Sequence, residues 1–205
     1  KELLENEVRP MIAGFLRERG LELSEEKTKI SHIDDGFDFL GFSIRKYKGK
    51  LMTRPAKSSV ASVKEKIRGI VRKHRTAKTE NLIHQLNPVI RGWAAHYKHV
   101  VSKKIFGSID HAIWEMTWRR AKRRHPKSSL SQIKSKYFQR EGSRKWVFRE
   151  KGGKIALTKM SDIPIVRHAK IKADANPYDP EWEEYFRERE QRKHRRNIRD
   201  KQSSL

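Results

Sequence analysis

Six cations crowd into nine residues near the middle of this chain: Arg119, Arg120, Lys122, Arg123, Arg124 and Lys127, with no acidic residue among them. Planar guanidinium groups match phosphate oxygens in pairs, and each phosphate that is neutralised releases condensed counterions. The chemistry open to such a cluster is therefore grip on a polyanion. A merely solvated charge run is the plainer alternative, but like charges side by side repel one another when unpaired. Lys64, Arg68 and Arg72, with Arg75 beyond them, form a second basic row at helical spacing. Arg91 and Lys98, seven apart on a face turned away from Trp93, suit phosphate contact, and Lys104, Lys134 and Lys136 complete the expected nucleic-acid-binding set. Tyr97, on the side of Trp93, reads as core and not as a base-stacking platform. The nine histidines show no ligand pattern, since His96 and His99 are three apart with no third ligand in view; no metal is expected.

The elements that must position these cations follow from periodicity. Ser58 or Ser59 can cap a helix in which Val60, Val63, Ile67, Ile70 and Val71 fall within an arc of about 100°. Thr79 opens a short helix with Leu82, Ile83 and Leu86. Asn87 as N-cap, with Pro88 at the first position, starts the next, on which Ile90, Trp93, Ala94, Tyr97 and Val101 recur at helical spacing, Gly92 permitting close helix packing. Ser102 can cap a further helix carrying Ile105, Ile109, Ile113 and Met116 on one side. Trp114, Trp118 and Ala121 widen its apolar arc, so this helix is expected to pack on two sides, with Lys104, His111, Glu115, Arg119 and Lys122 left outward. Pro126 ends it. A short helix over 129–138 then buries Ile133 and Tyr137, and a hairpin pairs Trp146, Val147 and Phe148 with Ile155, Ala156 and Leu157.

Upstream, Leu4, Val8, Met11, Ile12, Phe15 and Leu16 make a helical stripe that Gly20 closes in a left-handed cap. Residues 28–33 read as a weak strand, and Asp34, Asp35 and Gly36 as turn formers in preference to metal ligands. Phe37, Phe39, Phe42 and Ile44 form a strand interrupted by Gly41, which implies a bulge or a close backbone approach. A YKGK turn leads to a return strand at 51–53. Downstream, Asn176, Pro177 and Pro180 break the chain, Glu181 opens a charged helix with Trp182, Tyr185 and Phe186 on one side, and fraying or disorder is expected from Gln191 onward. The sum is an α+β fold, mainly α: an N-terminal helix and small antiparallel hairpin, then a helical bundle with a C-terminal β-hairpin and helix. The expected divisions are 1–54, 55–140, 141–172 and 173–205.

The 205 residues carry 49 Lys and Arg against 25 Asp and Glu, a net charge of +24, and the distribution is uneven. Residues 1–40 are net −4, residues 41–172 net +28 and residues 173–205 neutral. An extended polyanion, RNA or DNA, is the expected partner of so one-sided a middle. An anionic membrane fits less well, because the basic helices have no obvious inserting face and no apolar run approaches the roughly 18 residues of a span. With no cysteine, disulfides and thiolate metal sites are excluded. A soluble protein of the bacterial cytoplasm or an organelle matrix is expected.

Several stretches in order resemble the reverse transcriptase and maturase proteins encoded by group II introns. LELSEEKTKI followed by GFDFLGF resembles the end of the polymerase palm and its primer grip. RGWAAHY and WEMTWRRAKRRHPK resemble the thumb, or maturase X domain, and ANPYDPEWEEYF the junction that precedes a DNA-binding and endonuclease region. The resemblance implies a primer grip at Phe39, Leu40, Gly41 and Phe42, where Gly41 lets a primer backbone approach. It implies an assisting role for Lys27 beside the departing pyrophosphate, against the bland alternative of a solvated lysine. The family's paired catalytic aspartates and its cysteine-bearing nuclease have no counterpart here, so a C-terminal portion is expected, with no catalytic residue and no cofactor of its own. Mg²⁺ belongs to the intact polymerase. The implied partners are group II intron RNA and, in the intact protein, template–primer duplex and target DNA. The competing readings are an active RNA-directed DNA polymerase once a palm is supplied, and a generic basic RNA- or DNA-binding protein.

Overall fold

The computed structural model describes residues 1–168 and 171–202, which divide into two compact units, Lys1–Arg167 and His168–Leu205. The fold is α+β and mainly helical, as the patterning implies, with two small antiparallel sheets. No helix among the described residues is long and apolar enough to cross a membrane.

The first unit opens with a wide π turn, Leu4–Val8, that runs into α1, Arg9–Arg17. Pro10 lacks the N–H that would close the preceding α turn, which accounts for the widening. Gly20 ends the helix at φ +70, its N–H bonded to the Arg17 carbonyl while Leu21 N–H reaches that of Leu16, the two bonds of a Schellman cap. The apolar stripe is present but not buried: Met11 and Phe15 remain 68% and 55% exposed. The weak strand expected at 28–33 does not form; its backbone meets the strand Phe42–Tyr47 through one bond, Lys46 N–H to the Ile33 carbonyl at 2.9 Å, which is too little for a ladder. Asp34 and Asp35 do sit in a turn, which leads into β1, Phe37–Phe39.

Strands β1, β2 (Phe42–Tyr47) and β3 (Lys50–Pro55) form an antiparallel meander. Both connections are two-residue turns with two left-handed residues, Leu40–Gly41 and Lys48–Gly49, the conformation that matches strand twist. Gly41 is thus a turn residue and not a bulge. A Cβ there would lie 2.9 Å from both Ser59 Oγ and Tyr97 Oη, so the close approach it permits is to the bundle of its own chain.

Three long helices build the core: α2, Lys57–Lys73; α3, Thr79–Tyr97; and α4, Lys103–Arg124. Ala56, not Ser58 or Ser59, holds the N-cap position of α2, and the Ser59 hydroxyl donates to the Gly41 carbonyl instead. The two helices expected around Pro88 are one. Leu82, Ile83, Leu86, Ile90 and Ala94 are fully buried on both sides of the proline, and this continuous core face outweighs the one missing N–H. Asn87, buried within the helix, donates from Nδ2 to the Ala156 carbonyl at 3.1 Å and accepts Thr158 N–H on Oδ1 at 2.8 Å. Ser102 precedes α4, but its hydroxyl turns back to the Tyr97 and Val100 carbonyls.

α5, Leu130–Tyr137, starts from a capping box of Ser129 and Gln132 and buries Ile133 and Tyr137, as expected. The hairpin that follows differs from expectation. β4, Phe138–Glu141, pairs with β5, Arg144–Phe148, while residues 155–157 form no strand and touch β5 through one bond, Leu157 N–H to the Phe148 carbonyl. Ile155, Leu157, Ile163 and Ile165 pack on the helical core instead. Asp110 pins the segment by accepting the N–H groups of Met160 and Ser161 at 2.7 and 2.8 Å.

In the second unit, Asp179 caps a short 3-10 turn, Pro180–Trp182, that leads into α6, Glu183–Gln202. The fraying expected from Gln191 is not seen. Acidic residues in the first turn and the Glu188–Arg192 pair at 2.8 Å favour helix into a stretch that has little to bury. Residues 203–205 of the expected tail lie outside the described residues.

Two tests follow from this packing. Asn87→Ala leaves the Ala156 carbonyl and Thr158 N–H without their partner and should cost about 1–3 kcal/mol in urea unfolding, with the slope unchanged. His125 Nε2 lies 2.8 Å from the Tyr137 hydroxyl, and burial, then Lys136 and Arg124, push its imidazole below the ordinary value. The unfolded chain therefore takes up that proton more readily. The stability that neutral His125 contributes is complete above about pH 6.5 and declines as pH falls through that value towards the lowered one. His125→Gln should flatten this part of the stability–pH curve; parallel curves for the two proteins would contradict the coupling.

Candidate nucleic-acid interface

Helices α2 and α4 cross so that their basic rows face one recess of about 390 Å³. Arg68, Arg72 and Arg75, at i, i+4 and i+7, come from one helix and its end; Arg119, Arg120, Arg123 and Arg124 come from the other. Val71 and Met116 supply apolar surface between them, and Thr76 completes the lining. None of these residues is acidic. Of the carboxylates nearby, Glu65 pairs with Arg68, Glu115 is shared by Arg119 at 3.6 Å and His111 at 3.8 Å, and Glu150 acts on Arg120 without forming an ion pair with it.

Arg120 departs from the expected exposed cluster. It is 5% exposed, donating from Nε to the His74 carbonyl at 3.3 Å and from Nη2 to the Ala77 carbonyl at 2.6 Å. Arg124 Nη1 reaches the same Ala77 oxygen at 2.6 Å. His74 is the C-cap of α2, so these cations sit where the partial negative charge of a helix end is felt. Burial, then the like charge of Arg124, lower the Arg120 pKa from its usual value. Its Nη1 is buried and makes no hydrogen bond with any described residue. Helical spacing alone misses this burial, because six cations in nine residues cover more of a helix than one outward face can hold.

The other predicted residues are dispersed. Lys64 reaches across to α4, where Nζ donates to Ser108 Oγ at 3.2 Å. Arg91 is exposed as expected, yet its Nε donates to Thr158 Oγ1 at 3.2 Å, so part of its donor set serves the chain itself. Lys98, Lys104, Lys122 and Lys127 are exposed and do not line the recess. Lys134 lies over the Trp146 ring at 4.5 Å and Lys136 over the Tyr137 ring at 5.7 Å. Lys27 is exposed beside the half-buried Thr28.

At the hairpin tip, Phe39 and Leu40 are 59% and 77% exposed and lie outside the core. Phe42 packs edge-on to Tyr97 at 5.1 Å. The Gly41 carbonyl accepts three donors: Ala56 N–H at 2.8 Å, and the Ser59 and Tyr97 hydroxyls, each at 3.1 Å. Gly92 does not serve helix packing. A Cβ there meets nothing within 4 Å, and the residue lines an open groove between α2 and α3 together with Ser58, Ser62, Lys66 and His96. Tyr97 is buried against Trp93, as read from the sequence.

Residues 60–138 match the family model described as the group II intron, maturase-specific domain. That span contains every residue lining the recess. No curated protein matches the chain.

Proposed function

We propose, from the premise that this chain carries a group II intron maturase-specific domain at residues 60–138, that the domain acts by binding the folded RNA of such an intron through its α2–α4 face. The observation that carries this reading is the convergence of seven arginines from two helices on one recess with no acidic lining. Phosphodiester groups supply the missing counter-charge, and guanidinium forks match their oxygens. RNA helices hide their base edges from side chains in a deep, narrow groove, so recognition rests on shape and backbone. In this reading the RNA performs the splicing chemistry and the protein stabilises its active fold.

A second contact is favoured by the hairpin tip. Phe39 and Leu40 project into solvent from a turn that Gly41 latches to the bundle, a rigid presentation suited to a primer strand. We assign that grip, and with it reverse transcription and retrohoming, to a larger protein of which this chain supplies the end of the palm and the thumb.

The electrostatic account has a direct measurement. Affinity for a structured intron RNA should fall linearly on a log–log plot against salt. Glutamine at Arg68, Arg72, Arg119 and Arg123 together should reduce the slope by about 2 to 4, at roughly 0.7–0.9 for each phosphate that is no longer neutralised. Arg9→Gln with Arg17→Gln, on the N-terminal helix, should leave the slope as it was. Equal slopes for the fourfold variant and the unaltered protein would exclude the α2–α4 face as the RNA-binding surface.

A further inference from the structure

The α2–α4 recess is too small for a nucleic-acid helix, and its lining is not charge alone. At about 390 Å³ it falls at the lower end of pockets that take small molecules. Its lining combines two chemistries. Arginines form the walls, while buried Val71 and half-buried Met116 offer apolar contact that a bare inorganic anion would not use.

One of these arginines is built in. Arg120 is fixed by two main-chain carbonyls, and Arg124 shares one of them, so the ordering of both side chains is settled when the chain folds. Arg120 makes no ion pair with any described residue, and its buried Nη1 lacks an acceptor. A buried donor on a cation is costly to leave unmet, and an anion is the partner that meets both needs. Arg119 and Arg123 are both exposed, but Arg119 is paired with Glu115, so Arg123 is the one left to turn towards such an anion.

We propose that this recess is a single-nucleotide seat, which takes one unpaired nucleotide of RNA. The phosphate is held by Arg120 with Arg123 and Arg124, and the base lies against Val71 and Met116. The proposal rests on the RNA-binding reading above and adds to it a preference for RNA in which a base has left the stack. Stacking of a base on guanidinium planes and apolar side chains tolerates any sequence, so the seat recognises an irregularity in an RNA helix and not its base order.

The experiment compares three RNA hairpins with the full chain by fluorescence anisotropy: one fully paired, one with a single-nucleotide bulge and one with an abasic bulge. The bulged hairpin should bind about tenfold tighter than the paired one, the worth of one charge-assisted bond and its associated packing. The abasic bulge should fall between them. Thr76→Trp, which fills the recess from an exposed position, should bring the ratio of bulged to paired affinity to about one, with folding checked by circular dichroism. Lys127→Gln, outside the recess, should weaken both and leave the ratio intact.

Equal binding of bulged and paired hairpins by the unaltered protein, or a ratio that survives Thr76→Trp, would overturn the seat while leaving backbone binding in place. An abasic bulge as tight as the complete one would overturn the role given to Val71 and Met116. Failure to bind any of the three would remove the RNA-binding reading itself.

Discussion

A positive charge folded into the seam between two helices is the constraint around which the basic face is arranged. Arg120 does not escape to solvent as its neighbours do; it is accommodated by the carbonyls of His74 and Ala77, where α2 ends and the chain turns towards α3. Those carbonyls have no further helical turn to bond, so the guanidinium answers a need of the backbone while the backbone answers the need of a desolvated cation. The same hydrogen bonds tie α4 to the turn that follows α2.

The density of arginine on α4 has a packing cause. Phe106, Ile109, Ile113, Thr117 and Ala121 face the core, while Trp114 and Trp118 stack at 6.3 Å along another flank and meet the edge of Trp146. A helix covered on two sides has only a narrow strip for polar residues. Concentrating cations in that strip produces a strong local field from a modest number of side chains, and the row on α2 adds to it.

Much of the architecture is legible in the order of residues alone. The core residues of α2, Ile109, Ile113 and Ala121 on α4, the Gly20 cap and the burial of Ile133 and Tyr137 follow from period and end signals that depend only on nearby residues. The failures involve partners distant in sequence. Asn87 and Pro88 carry a strong local signal for a helix start, yet hydrogen bonds with residues 156 and 158 and a shared core keep the helix running. Trp146–Phe148 alternate well enough to pair, but the strand they pair with is decided by Phe138 arriving directly from α5. For the site, the two basic rows can be read from spacing, whereas the inward turn of Arg120 cannot, because it is set by carbonyls 43 and 46 residues away.

The three donors gathered on the Gly41 carbonyl come from the start of α2 and the end of α3. A loop tip is ordinarily the softest part of a sheet, but here it is riveted at one atom to two separate struts of the bundle. The meander therefore has no pivot of its own: a push on the tip is delivered to both struts at once, and sheet and bundle should rock as one lever.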